Sequence, residues 1–188
     1  FMSENGFDVI AISSSGQEIR EIIKNENCQH ITVPLTRKIT PYKDLKATYR
    51  LFKILKKIKP TIVHTHTPKA GIVGMLASFL ANVPIRIHTF TGQVWVNLKG
   101  FSKNFLKFFD ILISTLSTHN IVDSESQRKF LIKEKVLNIN KSFVFGLGSV
   151  SGVNLKKFKE NKIFSSEVRR RLKIPINSLV YLYLGRLN

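Results

Sequence analysis

The sequence predicts an α/β fold, a parallel sheet with helices on both faces. Short β-branched runs alternate with helical stretches along the whole chain, a βαβα rhythm that requires parallel strands joined by crossover helices. The run Leu179–Leu184 is apolar at every position, as in a strand covered on both faces. Polar elbows follow several of the strands, where open parallel sheets bind ligands.

Taken in order, Phe1–Gly6 reads as the tail of a helix reaching its C-cap glycine, followed by a strand at Asp8–Ser13. The strand and helix body that should precede it are expected to lie outside this sequence. A helix near Gly16–Lys24 leads to a strand at His30–Val33. In the next helix, Tyr42–Ile58, the residues Leu45, Tyr49, Phe52 and Leu55 recur at helical spacing and are expected to face the core, with Lys and Arg opposite. The strand Thr61–His64 opens through Thr67 and Pro68 into a helix at Lys69–Ala81, with a hydroxyl N-cap and proline at the first helical position. That helix is apolar almost all round, and Gly71, Gly74, Ala77 and Ala81 permit close approach, so it is expected in the core. A strand at Ile85–Thr89 and a helix at Ser102–Ser117 follow. Phe108–Leu116 is expected to be core, while the aromatic and basic stretch Val94–Lys103, including Trp95 and Phe101, is expected to be a loop facing a membrane or an acceptor. Asn120–Asp123 and Ser142–Phe145 read as strands, Glu125–Lys133 and Ser166–Leu172 as helices. The polar stretch 154–177 reads as a hinge, and Leu179–Leu184 as a last strand.

The 188 residues suffice for one domain with a substantial core. Their formal net charge is +18, from 30 Lys+Arg against 12 Asp+Glu, which favours anionic partners. Nucleic acid is disfavoured, since no zinc spacing, basic zipper or ribonucleoprotein motif accompanies the charge; an anionic membrane surface fits better. A single cysteine, Cys28, allows no internal disulfide. No apolar run approaches the roughly 20 residues of a membrane span.

The candidate site residues collect on the elbows. His66, Thr67 and Lys69 follow one strand, Thr91, Gly92 and Gln93 the next, and Ser13–Ser15 the first. Lys69 sits in a helical first turn, where a cation makes sense if an anion is bound nearby. His64 and His88 read as hydrogen-bonded structural histidines, His66 as the one placed for chemistry. Gly148 and Ser149 belong to the glycine-containing loop 146–154, which suits either an anion-binding concavity or a tight turn with positive φ.

Four segments, taken together, resemble the amino-terminal domain of family 4 glycosyltransferases of the GT-B fold, in particular bacterial enzymes that build lipid-linked surface glycans. They are Arg37–Leu45, Pro60–Trp95, Asp123–Leu131 and Gly146–Asn154, in the family's order. The resemblance implies a Rossmann-like domain at 1–177 on the acceptor side, its first strand absent, with 178–188 as the first strand of a donor-binding domain. It implies a hexosyl- or N-acetylhexosaminyl-transferase that moves a sugar from a nucleotide-diphosphate sugar, a UDP-sugar, to a lipid-linked glycan acceptor. The enzyme would retain configuration, need no metal or other cofactor, and work on the cytoplasmic face of the membrane; the piece described by this sequence would be inactive alone. Arg186 resembles the arginine that contacts the donor diphosphate. Many relatives carry a histidine at the position of Thr91, and a threonine cannot replace it as a base, so the catalytic residues stay open. A UDP-sugar epimerase on the same fold, and a non-catalytic basic module binding membrane or nucleic acid, are the alternatives.

Overall fold

The computed structural model describes residues 2–185 other than 18, 27, 37–39, 150–153 and 157. The chain forms two compact units, Phe1–Val150 and Ser151–Asn188.

The first unit contains β1 (Ile10–Ser13), α1 (Ile19–Glu26), β2 (Gln29–Thr32), α2 (Pro41–Ile58), β3 (Ile62–His66), α3 (Pro68–Leu80), β4 (Ile85–Phe90), α4 (Gly100–Leu116), β5 (His119–Val122), α5 (Glu125–Lys133) and β6 (Ser142–Phe143). Every strand pair is parallel, and helices flank the sheets as the alternating pattern requires. A short 3-10 turn at Ser3–Asn5, closed by Gly6, leads into β1.

The strands form two sheets, β1-β2 and β3-β4-β5-β6. Between β1 and β3 lies a cavity of about 710 Å³ lined by Phe7, Ile10, Ile12, Ile62, His64 and His66 among others. Val9 and Ser13 offer their carbonyls to Gln29 of β2 and to Val33 just beyond it, and Thr61 offers its carbonyl to Ile85 of β4. Successive residues of a strand address opposite edges. Ile10 and Ile12 of β1, and Ile62, His64 and His66 of β3, therefore turn their backbone groups toward the cavity from its two sides.

Helix α3 is central, packed between α2 and α4 and against β3 and β4. Its small residues make this possible. A Cβ added at Gly71 would stand 2.6 Å from His88 Cε1, and one at Gly74 would stand 2.5 Å from Thr65 Cγ2. One side of α3 joins a core of Val33, Ala47, Leu51, Leu55, Val73 and Ala77; the other reaches a larger core around Met75, Phe90, Trp95, Ile113 and Leu131. Each large apolar side chain buried in this way contributes about 1.5–3 kcal/mol.

Three expectations change. In α2 the buried residues are Ala47, Thr48, Leu51 and Leu55, whereas Leu45 and Tyr49 are exposed. The inward side of α2 is the one whose Ala47, Leu51 and Leu55 join Val73 and Ala77 of α3 in one core. In the stretch Val94–Lys103, a 3-10 turn at Val94–Asn97 and the first turn of α4 replace the expected loop. Trp95 is 1% exposed, so it is a core residue and no membrane anchor. Its indole N–H donates to Asp110 Oδ2 at 2.7 Å and its ring stacks on Phe130; a buried carboxylate and a buried indole each need that partner. Phe108, expected in the core, is exposed.

The second unit contains α6 (Lys162–Arg171), capped by the Asn161 side chain accepting from Phe164 N–H. The guanidinium of Arg169 donates to the carbonyls of Pro175, Ile176 and Ser178. Leu179–Leu184 forms no strand, and its side chains are exposed. A strand exists only as a partner in a ladder, and among the described residues this unit supplies no second strand.

Candidate functional site

Parallel register aligns the carboxyl ends of the strands. His66 of β3 lies opposite Thr89 of β4, Phe90 opposite Val122 of β5, and Ile121 opposite Phe143 of β6. The elbows after these strands therefore emerge along one edge, and those of β3 and β4 are neighbours.

At the β3 elbow, Thr67 has φ 69° and ψ 145°, and its hydroxyl makes no capping bond, contrary to expectation. A β-branched residue at positive φ is a backbone outlier that costs roughly 1–3 kcal/mol and persists only where its surroundings enforce it. The next residues are held from α2. Lys69 Nζ pairs with Asp44 Oδ1 at 2.7 Å and donates to Thr36 Oγ1 at 3.1 Å. Asp44 in turn accepts from the Thr40 amide and hydroxyl. Burial would raise the Asp44 carboxyl, but the Lys69 ammonium and the Thr40 bonds outweigh it and hold the group below the ordinary carboxylate range. The anion that accounts for a lysine at this helix start is thus a carboxylate of the protein.

Three histidines gather beside this elbow. His88 is buried, its Nδ1 2.8 Å from Thr65 Oγ1, and His64 Nε2 lies 2.8 Å from Thr89 Oγ1. The rings of His64 and His66 are 4.2 Å apart. Burial, and then His66 and His64, push His88 down to about 3; burial and His66 push His64 down to about 4; burial also lowers His66. All three are neutral imidazoles at neutral pH. The first two have the structural roles expected of them, and His66 lines the cavity as a neutral donor or acceptor.

At the β4 elbow Thr91 and Gly92 are exposed, and a Cβ on Gly92 would meet nothing within 4 Å. Gln93 reaches the next elbow, its Oε1 accepting from Gln127 Nε2 at 3.4 Å, while its own Nε2 is buried with no partner among the described residues. Gln127 Oε1 accepts from Asp123 N–H, and Ser124 Oγ caps α5 through Gln127 N–H. The Asp123 carbonyl accepts from Ser149 N–H at 2.6 Å. The β4, β5 and β6 elbows are thereby tied together.

Gly148 has φ 107°, and a Cβ there would stand 2.5 Å from the Asp123 carbonyl oxygen, so only glycine fits. The Gly148 amide donates to Phe145 and the Ser149 amide to Asp123. Both are spent on backbone carbonyls, the tight turn of the two readings. Arg186 lies outside the described residues. Ser14 ties the end of β1 to the segment after β2, its hydroxyl donating to the Leu35 carbonyl at 2.6 Å.

Thr36, Asp44, Asp123 and Gln127 were not among the residues singled out from the sequence. Ser124 and Gln127 do carry a capping-box spacing, which could have located the β5 elbow. Asp44, four residues into a helix otherwise rich in cations, was the other available signal.

A parallel sheet flanked by helices, with polar elbows and a glycine turn along its carboxyl edge, is a Rossmann-like domain of the GT-B kind. The chain belongs to the glycosyl transferase 4-like family, whose profile matches residues 1–133. It is similar to the capsular polysaccharide biosynthesis glycosyltransferase CapM of Staphylococcus aureus, at 31% identity over 188 residues, covering 100% of this chain and 48% of the relative. It is also similar to the UDP-Gal:alpha-D-GlcNAc-diphosphoundecaprenol alpha-1,3-galactosyltransferase of Escherichia coli, at 31% identity over 183 residues, covering 96% and 46%. The chain spans about half the length of the curated relatives it matches. In fold it resembles a glycosyltransferase from Rickettsia africae ESF-5, with a TM-score of 0.63 and 21% identity over 94% of this chain and 44% of that one.

Proposed function

We propose that this chain is the acceptor-side half of a glycosyltransferase that moves a hexosyl or N-acetylhexosaminyl group from a UDP-sugar to a lipid-linked acceptor in surface polysaccharide synthesis. The observation that carries the reading is the pairing of the β3 and β4 elbows at one sheet edge. There, neutral His66 stands near the strained Thr67, with Thr91, Gly92 and Gln93 on the adjoining elbow. The name of the Escherichia coli relative, with its UDP-sugar donor and diphosphoundecaprenol acceptor, supports the choice of substrates.

In this reading the acceptor hydroxyl approaches over His66 and Thr91. The bond from the sugar C1 to the diphosphate oxygen breaks with its electrons leaving on the nucleotide. The acceptor oxygen bonds to C1 on the same face, and its proton passes to the leaving phosphate. Thr91 is no base, and His66 orients the hydroxyl as a neutral hydrogen-bond partner. The negative charge of the donor diphosphate is met by Arg186 rather than by a metal. Residues 1–177 form the acceptor-side domain, and 178–188 begin the donor domain. A further strand belongs in the cavity between β1 and β3. The enzyme acts as a peripheral protein on the inner membrane face, and among the described residues no helix is long and apolar enough to cross a membrane.

The test uses a polypeptide that carries these residues together with a donor-binding half, incubated with UDP-sugars and an undecaprenyl-diphosphate-linked sugar. Mass spectrometry should find the acceptor heavier by one sugar and UDP released only when acceptor is present. Interconversion of the UDP-sugar without acceptor would replace this reading with an epimerase. The 188-residue chain alone should give no transfer.

A further inference from the structure

The elbow after β4 is pinned at two points. At one end Phe90 closes the strand, opposite Val122 and buried. At the other, Trp95 is sunk into the core. Thr91, Gly92 and Val94 between them are exposed, and among the described residues this span makes one side-chain hydrogen bond, Gln93 to Gln127. The backbone of Gln93 belongs to the second pin. Its carbonyl accepts from Val96 N–H at 3.3 Å, and the Trp95 carbonyl accepts from Leu98 N–H at 3.1 Å, which closes the turn Val94–Asn97. Where Trp95 stands therefore decides where the elbow stands.

The Trp95 ring stacks on Phe130 of α5, and the ammonium groups of Lys107 and Lys103 lie 5.4 and 5.9 Å from a ring centre of Trp95. Lys107 is fixed there by Glu134 at 2.7 Å. Stacking and cations over a ring set its plane but not its rotation within that plane. The directed contact is the indole N–H, which donates to Asp110 Oδ2 at 2.7 Å. Asp110 is 6% exposed, and among the described residues no cation pairs with it. A buried carboxylate without a cation is a costly acceptor for one hydrogen bond. An amide in that place would accept the same bond without burying a charge, so packing alone does not account for the carboxylate.

We propose that Asp110 is a positioning residue of the transferase site: acting through the Trp95 indole, its carboxylate orients the turn that holds Thr91, Gly92 and Gln93 toward the acceptor. The inference rests on the reading of the β4 elbow as acceptor-facing. A hydrogen bond to an ionised acceptor is roughly twice as strong as one to a neutral acceptor. Burial raises the Asp110 carboxyl to about 6, while the indole bond favours the ionised form. Acidification through that value relieves the buried charge and slackens the clamp together. The charged groups around it are Lys103 and Lys107 on α4, Lys133 on α5 and Glu134 beyond it, which the Lys107 bond holds below the ordinary carboxylate range. Helix α3 adds Lys69, paired with Asp44, and β4 adds His88, pushed down to about 3 by burial. His66 on the neighbouring elbow is also lowered by burial, and it is the group whose titration must be told apart from that of Asp110.

Trp95 is the only tryptophan of the chain, so one indole signal in a nitrogen–proton NMR spectrum of the 188-residue protein reports the bond. On acidification the Trp95 Nε1–H and the Gly92 amide should shift together, with one midpoint at about pH 6. Asp110→Asn removes the titrating group and keeps every histidine, so it should abolish both shifts. A step at Gly92 that survives in Asp110→Asn would belong to His66 and overturn the proposal. So would an indole that shifts while Gly92 stays still, because Asp110 would then serve core packing alone. In a polypeptide that also carries a donor-binding half, Asp110→Ala and Trp95→Phe should each raise the KM for the lipid-linked acceptor by about tenfold or more, and leave that for the UDP-sugar within about twofold. Asp110→Asn can still accept the indole bond, so it should recover most of that loss and flatten the acceptor KM against pH. Equal rises in both KM values would mean a general loosening of the domain and overturn the positioning role. If the wild type transfers no sugar, the function fails by itself, and the spectra still decide whether Asp110 governs the elbow.

Discussion

His88 shows how a single buried residue is recorded in pH dependence. Its ring is enclosed between Thr65, Gly71 and Phe90, and burial followed by the nearby His66 and His64 lowers its folded pKa from 6.5 to about 3. Between those values the unfolded chain binds a proton that the folded chain refuses, so stability rises with pH across that window and is lost as the solution is acidified. From pH 7 to pH 5 the loss from this residue approaches about 2 kcal/mol. Asp110 works in the opposite direction: burial raises it to about 6 against the pull of the Trp95 hydrogen bond, so acidification through pH 6 relieves a buried charge. That gain begins lower and spans a smaller shift, so the histidines win. Denaturant melts should find the protein less stable at pH 5 than at pH 7. In His88→Gln the difference should shrink by about 2 kcal/mol. An unchanged difference would mean that the ring is already protonated in the fold. The role of His88 was legible in the sequence, whereas no sequence pattern announces the state of Thr67: a Thr-Pro pair reads as an ordinary helix start, but its φ is 69°.

Among the elements, the open edges of β1 and β3 make a prediction of their own. The amides of Ile10, Ile12, Ile62, His64 and His66 face the cavity, whereas those of Ala11, Val63 and Thr65 face a partner strand. Hydrogen exchange followed by NMR should show alternation along each strand, with fast exchange at the first set and slow exchange at the second. Uniform protection along β3 would mean that something occupies this edge. Most elements were legible beforehand. The helix Glu125–Lys133 is found with the bounds expected from the sequence, and the six strands of the first unit appear in the expected order with ends shifted by a few residues. Two failures have physical causes. The phase of α2 differs from the expected one because hydrophobic periodicity weighs large residues, and the side that turns inward, Ala47, Thr48, Leu51 and Leu55, includes small residues that such a pattern passes over. Leu179–Leu184 was read from its composition, but strand structure depends on a neighbour that composition does not contain. The site was legible as a set of elbows. The ties that hold it, Lys69 to Asp44 and Gln93 to Gln127, join residues distant in sequence and become visible only once the strands are in register.

The whole molecule carries a net charge of +18, and the described ion pairs do little to offset it. Lys69–Asp44 and Lys107–Glu134 join helices, while Arg128–Glu125 is a local pair on α5. Salt acts on this arrangement in two opposing ways. It weakens ion pairs, but partly buried ones are screened much less than exposed charges, and an exposed pair contributes only about 0–1 kcal/mol. It also screens the mutual repulsion of the surplus cations, which acts over the whole surface and favours the expanded chain. Raising ionic strength from 0.01 M to 0.15 M shortens the screening length from about 30 Å to about 8 Å, less than the separation of most surface charges. The second effect should therefore dominate. Thermal melts in sodium chloride should show Tm rising over that range by several degrees, as expected for relief of about 1 kcal/mol in a domain of this size. Most of the rise should be complete by 0.15 M. A falling Tm would mean that the few ion pairs outweigh the repulsion. A flat one would mean that the cations are already neutralised by a bound anion, which removal by ion exchange before the melt would reveal.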